Sequence, residues 1–194
     1  MASPASPIKQ SQPRRGLLAW PEHILNLLMD HWALIITLVF GLLVLAAFLV
    51  PILAFLGLNN LSKPLFYSMH LVCGQIPSHS FYLFGHQLGL CQRNFSIYTS
   101  MFLGSLIFVL TKKRIPGLPW WLWVLMCVPM ALDGFTQMFG WRESNMFLRL
   151  LTGSLFGLGC VWFALPLMHK NLMETEPVPT APQQPQVPQP AARP

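Results

Sequence analysis

Two cysteines and several histidines lie between His70 and Cys91, a stretch that separates two long apolar segments. Thiolate and imidazole groups are ligands that zinc prefers, and His70 and Cys73 are spaced for one turn of a helix. Cysteines that face an oxidising compartment tend to pair as disulfides, and buried cysteines also occur as small packing residues. Three alternatives therefore remain open: a Cys73–Cys91 disulfide, structural packing, or a site for zinc or another metal that binds nitrogen and sulfur, held by His70, Cys73, His86 and Cys91.

Charged and amide side chains form a second set in and between the last two apolar segments. Asp133 and Gln137 are four residues apart and therefore share one face of a helix. A charge alone at membrane depth is costly, so we expect a buried ion pair between Asp133 and Arg149. The alternative is a polar pocket that opens on the outer side of the membrane. This outer-face polar cluster is predicted to comprise Arg93, Asp133, Gln137, Arg142, Glu143, Asn145 and Arg149.

Apolar segments that are long enough to cross a bilayer must position both sets. Hydrophobic residues make up 54% of the 194 residues and charged residues only 9%, against about 25% charged residues in a soluble domain. The run from Trp32 to Leu58 contains no charge and exceeds the roughly 20 residues that a crossing helix needs. Hydropathy predicts an all-α fold, a four-span transmembrane helical bundle with a partly structured outer loop at 58–93. The predicted spans lie at about 33–57, 94–111, 118–139 and 146–168.

Small residues recur every four positions in the second and fourth spans, a spacing that lets helices approach closely in lipid. The residues predicted to pack these spans are Ser96, Ser100, Gly104, Gly153 and Gly157. Outside the membrane domain (17–173), residues 1–16 form a polar N-terminal arm, and residues 174–194 form a tail with seven prolines. Neither segment can bury enough apolar surface to offset its ordering entropy, so we predict that both are disordered.

The basic residues bear on orientation and on partners. The net charge is +6, yet lysine and arginine lie at the ends of apolar segments and not in one patch interleaved with aromatic residues. This placement argues against a nucleic-acid partner. Cytoplasmic loops carry an excess of Lys and Arg, and the run Lys112-Lys113-Arg114 occupies a very short loop. We therefore predict that both termini are cytoplasmic.

Two stretches of the chain resemble the motifs of a known family: CGQIPSHSFYLFGHQLGLCQRNFSIYTS and DGFTQMFGWRESNMFLRLLTGSLFGLG. Together they cover about residues 65–165, and the family is the bacterial predicted integral membrane proteins called domain of unknown function 2085. The resemblance implies a multi-pass protein of the bacterial plasma membrane with a shared outer-face polar set, and it brings no activity. Gly74 and His79 replace a histidine and an arginine of the first motif, and Asn94 stands where many members have a further cysteine. These departures remove metal ligands and favour the simple disulfide.

We expect a non-enzymatic accessory, scaffold or binding module of the cell envelope. The sequence contains no nucleotide-binding, serine-hydrolase or zinc-protease motif. One rival hypothesis is a metal- or thiol-dependent membrane enzyme that uses the Cys/His residues at the outer face. Another is a small-solute carrier, which would need an oligomer because four helices rarely enclose a pathway alone. The expected partners are the lipid bilayer and either another membrane protein or further copies of the chain.

Overall fold

The computed structural model describes the backbone of residues 19–175 and the side chains of residues 31–174. The arm predicted at 1–16 lies outside the described residues. The tail predicted at 174–194 also lies outside them, except for its first two residues, which end the last helix.

Five α-helices account for most of the described chain. They are α1 (Ala19–Phe55), α2 (Asn59–Ser68), α3 (Gln92–Leu110), α4 (Trp120–Met138) and α5 (Met146–Thr175). Segments of α1, α3 and α5 are long and apolar enough to cross a membrane, and they are His31–Phe55, Gln92–Leu110 and Met146–Glu174. Their apolar side chains point outward to an extent that water would not tolerate; Leu42, for example, is 61% exposed.

The count of four spans is not confirmed. Helix α4 coincides with the third predicted span, but only three of the described helices are long and apolar enough to cross. Asp133 and Gln137 lower the hydropathy of α4, and its tryptophans add little to it. The element exists where the pattern predicted it, while its passage through the bilayer does not follow from its composition.

Ring contacts show the directions of the helices. The Trp32 ring of α1 lies 6.2 Å from Phe108 of α3, and Phe48 of α1 lies 5.4 Å from Phe95, near the other end of α3. Helices α1 and α3 are therefore antiparallel. On the other side of the bundle, Trp123 near the start of α4 stacks at 5.0 Å on Phe163 in the second half of α5. A short turn joins the end of α4 to the start of α5, so these two helices are antiparallel as well.

Helices α3 and α5 run parallel and form the centre of the bundle. A Cβ atom added at Gly153 would lie 2.1 Å from Ser96 Oγ, and one added at Gly157 would lie 2.1 Å from Ser100 Oγ. The contact advances by four residues along α5 as it advances by four along α3, so the two helices run in the same direction. The main contacts run from α1 to α3, from α3 to α5 and from α5 to α4, so the four long helices stand in a row.

A hairpin caps one end of this row and corrects the all-α prediction. Strands β1 (Ser80–Leu83) and β2 (His86–Cys91) pair antiparallel. Phe84 and Gly85 connect them with positive φ angles of 53° and 77°, as a tight hairpin turn requires. A Cβ at Gly89 would lie 3.1 Å from the Ala47 backbone, so only glycine lets β2 lie this close to α1. We call this the hairpin end of the bundle.

Two buried clusters hold the ends of the bundle together. At the hairpin end, Leu88 and Leu90 of β2 pack with Ala47 and Cys73. At the opposite end the cluster joins α1, α3 and α5 and comprises Trp32, Ala33, Phe108, Val161 and Leu165. The hairpin is therefore packed onto the helices and fixes the positions of the residues that precede α3.

Candidate functional site

Asp133 is the buried centre of a polar network at the hairpin end. Its side chain is 2% exposed and accepts hydrogen bonds from Arg93 Nη2 at 2.5 Å and from Arg142 Nη2 at 2.9 Å. Ser144 Oγ donates a third, 2.8 Å long. Two guanidinium groups therefore neutralise one carboxylate that would be costly to bury alone.

The network brings together three elements of the chain. Arg93 lies in the first turn of α3 and also donates to Gln137 Oε1 at 2.9 Å, one turn after Asp133 on α4. Arg142 and Ser144 belong to the turn between α4 and α5, which reverses the chain at Gly140 with a φ of 69°. The arrangement draws together four of the residues predicted for the outer-face polar cluster: Arg93, Asp133, Gln137 and Arg142.

Arg149 does not form the ion pair that we expected with Asp133. It is 7% exposed and donates from Nη1 to Gln92 Oε1 at 3.1 Å, at the start of α3. The cost of a lone charge predicts that each charge has a partner, but it does not give the direction in which a side chain points around its helix. Arg149 points toward α3, while Asp133 is satisfied by Arg93 and Arg142.

The two remaining residues of the predicted cluster lie at its edge. Asn145 accepts the backbone N–H of Leu148 at 2.8 Å and so caps the first turn of α5, while Glu143 is exposed. The sequence reading missed Ser144 and Gln92. Both residues lie beside charged residues in the sequence, which was a signal that they could join the network. The residues to which they bond depend on the fold and could not be read from the sequence.

Two buried guanidinium groups keep a free donor. The Nε atoms of Arg93 and Arg149 are inaccessible and find no acceptor among the described residues. A buried donor without a partner costs free energy that an added acceptor would recover. The arginine cluster (Arg93, Arg142 and Arg149) thus holds more hydrogen-bonding capacity than its internal partners use.

The pKa of His79, the residue just before the hairpin, reflects the positive charge of this region. Burial lowers the pKa of His79, and the positive charges of Arg149 and Arg93 lower it further, while Glu143 acts in the opposite direction. Arg149 and Arg93 therefore lie within electrostatic reach of the segment that leads into the hairpin, and its histidine remains neutral more readily than usual.

Cys73 and Cys91 meet under the hairpin as free thiols. The Sγ of Cys73 accepts the backbone N–H groups of Cys91 at 3.1 Å and of Gln75 at 3.5 Å. A hydrogen bond from the Cys91 thiol, assisted by these backbone groups, lowers the pKa of Cys73 to about 6 against the resistance of burial. The same hydrogen bond and burial raise the pKa of Cys91. The disulfide that we predicted is not formed in the structure, but its two sulfurs are neighbours.

The predicted metal ligands do not converge. His70 and His86 are exposed, and the His70 ring packs against Phe66 and Tyr67, while Cys73 is buried. Among residues 31–174, no three His, Cys, Asp or Glu side chains lie close enough together to hold a metal ion.

The predicted packing residues lie along the contact between α3 and α5. Gly153 faces Ser96, Gly157 faces Ser100, and a Cβ at Gly104 would lie 3.3 Å from Val161 Cγ1 of α5. The two hydroxyl groups donate to carbonyls of their own helix, so this contact adds no unsatisfied polar group. The stripe positions the first turns of α3 and α5, and with them Arg93 and Arg149.

Comparisons with known proteins find two archaeal relatives. A protein of Methanocaldococcus jannaschii described as "Uncharacterized protein MJ1492" is 36% identical over 153 residues, which cover 74% of this chain and 97% of that protein. An uncharacterized protein of Methanothermobacter thermautotrophicus is 34% identical over 98 residues, or 50% of this chain and 88% of that protein. Both organisms are archaea, so the comparisons do not support the bacterial origin that we expected. No solved structure matches the chain.

The family comparison agrees with the sequence motifs. Residues 73–163, from the thiol pair through most of α5, match the family of predicted membrane proteins called DUF2085. This region contains the hairpin, the arginine cluster and the stripe of small residues. With that match and a relative covered almost completely, the chain belongs to the DUF2085 family of predicted membrane proteins.

Proposed function

We propose that the chain is a non-enzymatic binding module of the cell envelope, whose arginine cluster takes an anionic group. A carboxylate or a phosphate would suit it. One observation carries this proposal: Arg93 and Arg142 both bond to the single buried carboxylate of Asp133, and Arg142 keeps 54% of its side chain exposed beside it. Guanidinium groups are the side chains best suited to bind carboxylate and phosphate oxygens in pairs.

The charge balance supports the same conclusion. Two guanidinium groups contact the one buried carboxylate, that of Asp133, and Arg149 bonds to the neutral amide of Gln92, while the second acid nearby, Glu143, is exposed. Arg142 is 54% exposed at its side chain and can reach a ligand from the membrane surface. An anion would therefore compensate positive charge that the chain itself leaves in excess.

We infer further that α4 crosses the membrane and that the hairpin end faces outward. Helices α3 and α5 are parallel, so the chain must return across the thickness of the bundle between them, and α4 is the helix that does so. Its 19 residues span about 28 Å, close to the thickness of the hydrocarbon core. The opposite end carries Lys112, Lys113 and Arg114, which favour the cytoplasmic side and place both termini there.

The test of anion binding is calorimetric titration of the purified protein with inorganic phosphate. Wild type should bind it, and Arg142→Gln should weaken the affinity about tenfold, since a charge-assisted hydrogen bond contributes roughly 1.5–3 kcal/mol. The matched control is Lys63→Gln, which removes one exposed positive charge from α2, away from the cluster. Absence of binding to wild type, or an equal loss in the control, would overturn the proposal.

The thiol pair supports a second candidate, a redox-dependent cap. We propose that Cys73 and Cys91 become a disulfide outside the cell, in exchange with a small-molecule disulfide. The Cys73 thiolate attacks the small disulfide and displaces one of its sulfurs as a thiolate. Cys91 then loses its proton and attacks Cys73 Sγ, which releases the second sulfur. Two thiols of the chain are oxidised and one disulfide is reduced.

Such a bridge would close a loop of about 18 residues and stabilise the cap by roughly 3 kcal/mol. Thiol labelling of native membranes, before and after reduction, tests it. Labelling under denaturing conditions should require prior reduction at both positions. Free labelling of Cys73 and Cys91 in unreduced membranes would exclude the bridge.

A further inference from the structure

An apolar groove lies between α4 and α5 beside the arginine cluster. Its volume is about 290 Å³. All but one of its lining residues belong to α4, and the lining residues are Cys127, Met130, Ala131, Gly134, Phe135, Met138 and Phe156. From residue 127 to residue 138 the groove follows α4 for about 16 Å, roughly half the thickness of a hydrocarbon core.

Small residues open this groove. Ala131 and Gly134 are three residues apart and so lie on the same side of α4. Larger side chains, those of Met130, Phe135 and Met138, surround them. Helices that associate closely in lipid often carry two small residues four positions apart, whereas Met130, four residues before Gly134, and Phe135, four residues after Ala131, are bulky. The shape therefore suits a flexible hydrocarbon chain better than a neighbouring helix.

A positive charge borders the groove at its hairpin end. A Cβ atom at Gly134 would lie 3.9 Å from Arg93 Nη1, so the Arg93 guanidinium stands directly behind this glycine. Gln137, the second-last residue of α4, accepts a hydrogen bond from the same guanidinium. Arg142 lies beyond, half exposed. The groove is thus apolar along its length and positively charged at its hairpin end. An acidic lipid, with an apolar chain and a negative headgroup, complements this arrangement.

We propose that the groove holds one hydrocarbon chain of a membrane lipid whose acidic headgroup lies on the arginine cluster. This inference rests on the proposed anion binding and names its ligand class. Charge complementarity carries it: an acidic headgroup meets the guanidinium groups, and the chain below meets only apolar side chains. A zwitterionic lipid offers the groove the same chain but leaves the excess positive charge uncompensated.

The test is native mass spectrometry of the purified protein with phosphatidylglycerol or phosphatidylcholine of identical chains. Wild type should retain phosphatidylglycerol about tenfold more strongly. Ala131→Trp fills the groove without touching an arginine and should abolish retention, while Ala131→Leu should give an intermediate loss. The control is Leu132→Trp, because Leu132 is 62% exposed on the neighbouring lipid-facing side.

The outcomes separate this inference from the proposed function. If inorganic phosphate binds both wild type and Ala131→Trp, and only phosphatidylglycerol retention is lost in the variant, the groove site is supported. If phosphate binds but Ala131→Trp retains phosphatidylglycerol like wild type, the groove site is wrong and the anion site stands. If neither ligand binds wild type, both proposals fail. A wild-type dimer that Ala131→Trp converts to a monomer would overturn the lipid in favour of a second copy.

Discussion

Replacing Asp133 by asparagine should be among the most damaging single changes at the hairpin end. The carboxylate is 2% exposed and accepts from Arg93, Arg142 and Ser144. Asparagine has nearly the same shape and keeps one acceptor oxygen, so packing is preserved. What is lost is the negative charge between two guanidinium groups, one of which is itself largely buried.

The magnitude follows from the exposure of each partner. Removing one member of a buried ion pair costs about 3–5 kcal/mol because the other charge is left uncompensated. That range applies to Asp133 with Arg93, whose side chain is 20% exposed. The pair with Arg142, 54% exposed at its side chain, should contribute only about 0–1 kcal/mol. We therefore expect a large effect for Asp133→Asn and for Arg93→Gln and a small one for Arg142→Gln.

Unfolding titrations in mixed detergent micelles, read by circular dichroism, give the free energy of unfolding for each variant and for pairs of variants. The double variant Asp133→Asn/Arg93→Gln should be less damaged than the sum of its parts, with a coupling of about 1–3 kcal/mol. Asp133→Asn/Arg149→Gln should be close to additive because Arg149 bonds to Gln92. Glu143→Gln, which is exposed, is the control and should change little.

A coupling of Asp133 with Arg149 as large as that with Arg93 would refute this reasoning. It would mean that the Asp133–Arg149 ion pair expected from the sequence is the one that stabilises the protein. An additive result for Asp133 with Arg93 would equally contradict the buried pair, since their contact at 2.5 Å is the shortest in the network.

Three further predictions concern packing, protonation and topology. Gly157→Ala should destabilise the protein by about 1–3 kcal/mol, because its Cβ would lie 2.1 Å from Ser100 Oγ and 2.6 Å from a backbone oxygen. The control is Gly159→Ala, whose Cβ would lie 3.2 Å from the Met126 side chain, and it should cost less in the same unfolding titration. In the reduced protein the pKa of Cys73 is about 6 instead of 9.0, so the unfolded state binds more protons between these values. The free energy of unfolding should therefore rise with pH across that window, and this contribution should be lost as the pH falls through 6. A Cys73→Ser variant that shows the same rise would contradict the assignment to Cys73. Reporter fusions after residue 194 and within 111–119 should both be active only in the cytoplasm, and opposite sides would contradict the crossing of α4.

Hydropathy predicted the elements that depend on a long apolar run. The run that begins at Trp32, the segment before Lys112 and the segment after Met146 all lie in helices, although α1 begins before the expected bound of 33 and α5 extends beyond 168. Each is recognisable because a crossing helix satisfies its own backbone and needs apolar side chains on every side. Helix α4 was found for the same reason, but Asp133 makes its composition ambiguous because that side chain is satisfied inside the protein.

The hairpin could not be read from the sequence. Its strands are four and six residues long, and Leu88, Gly89 and Leu90 are consecutive buried residues without polar alternation. The strand reaches its position through contact with α1, and such contacts between distant segments leave no local period in a sequence.

Unequal helix lengths have a consequence for the depth of the cap. Phe48 of α1 is level with Phe95 near the start of α3, so the last seven residues of α1 project about 10 Å beyond it. The hairpin packs against this projecting part of α1, where the Phe55 ring stacks on the Phe84 ring at 4.6 Å. In a bilayer matched to α3, that height corresponds to the lipid headgroups. The cap therefore takes up area among the lipid headgroups at the hairpin end of the bundle.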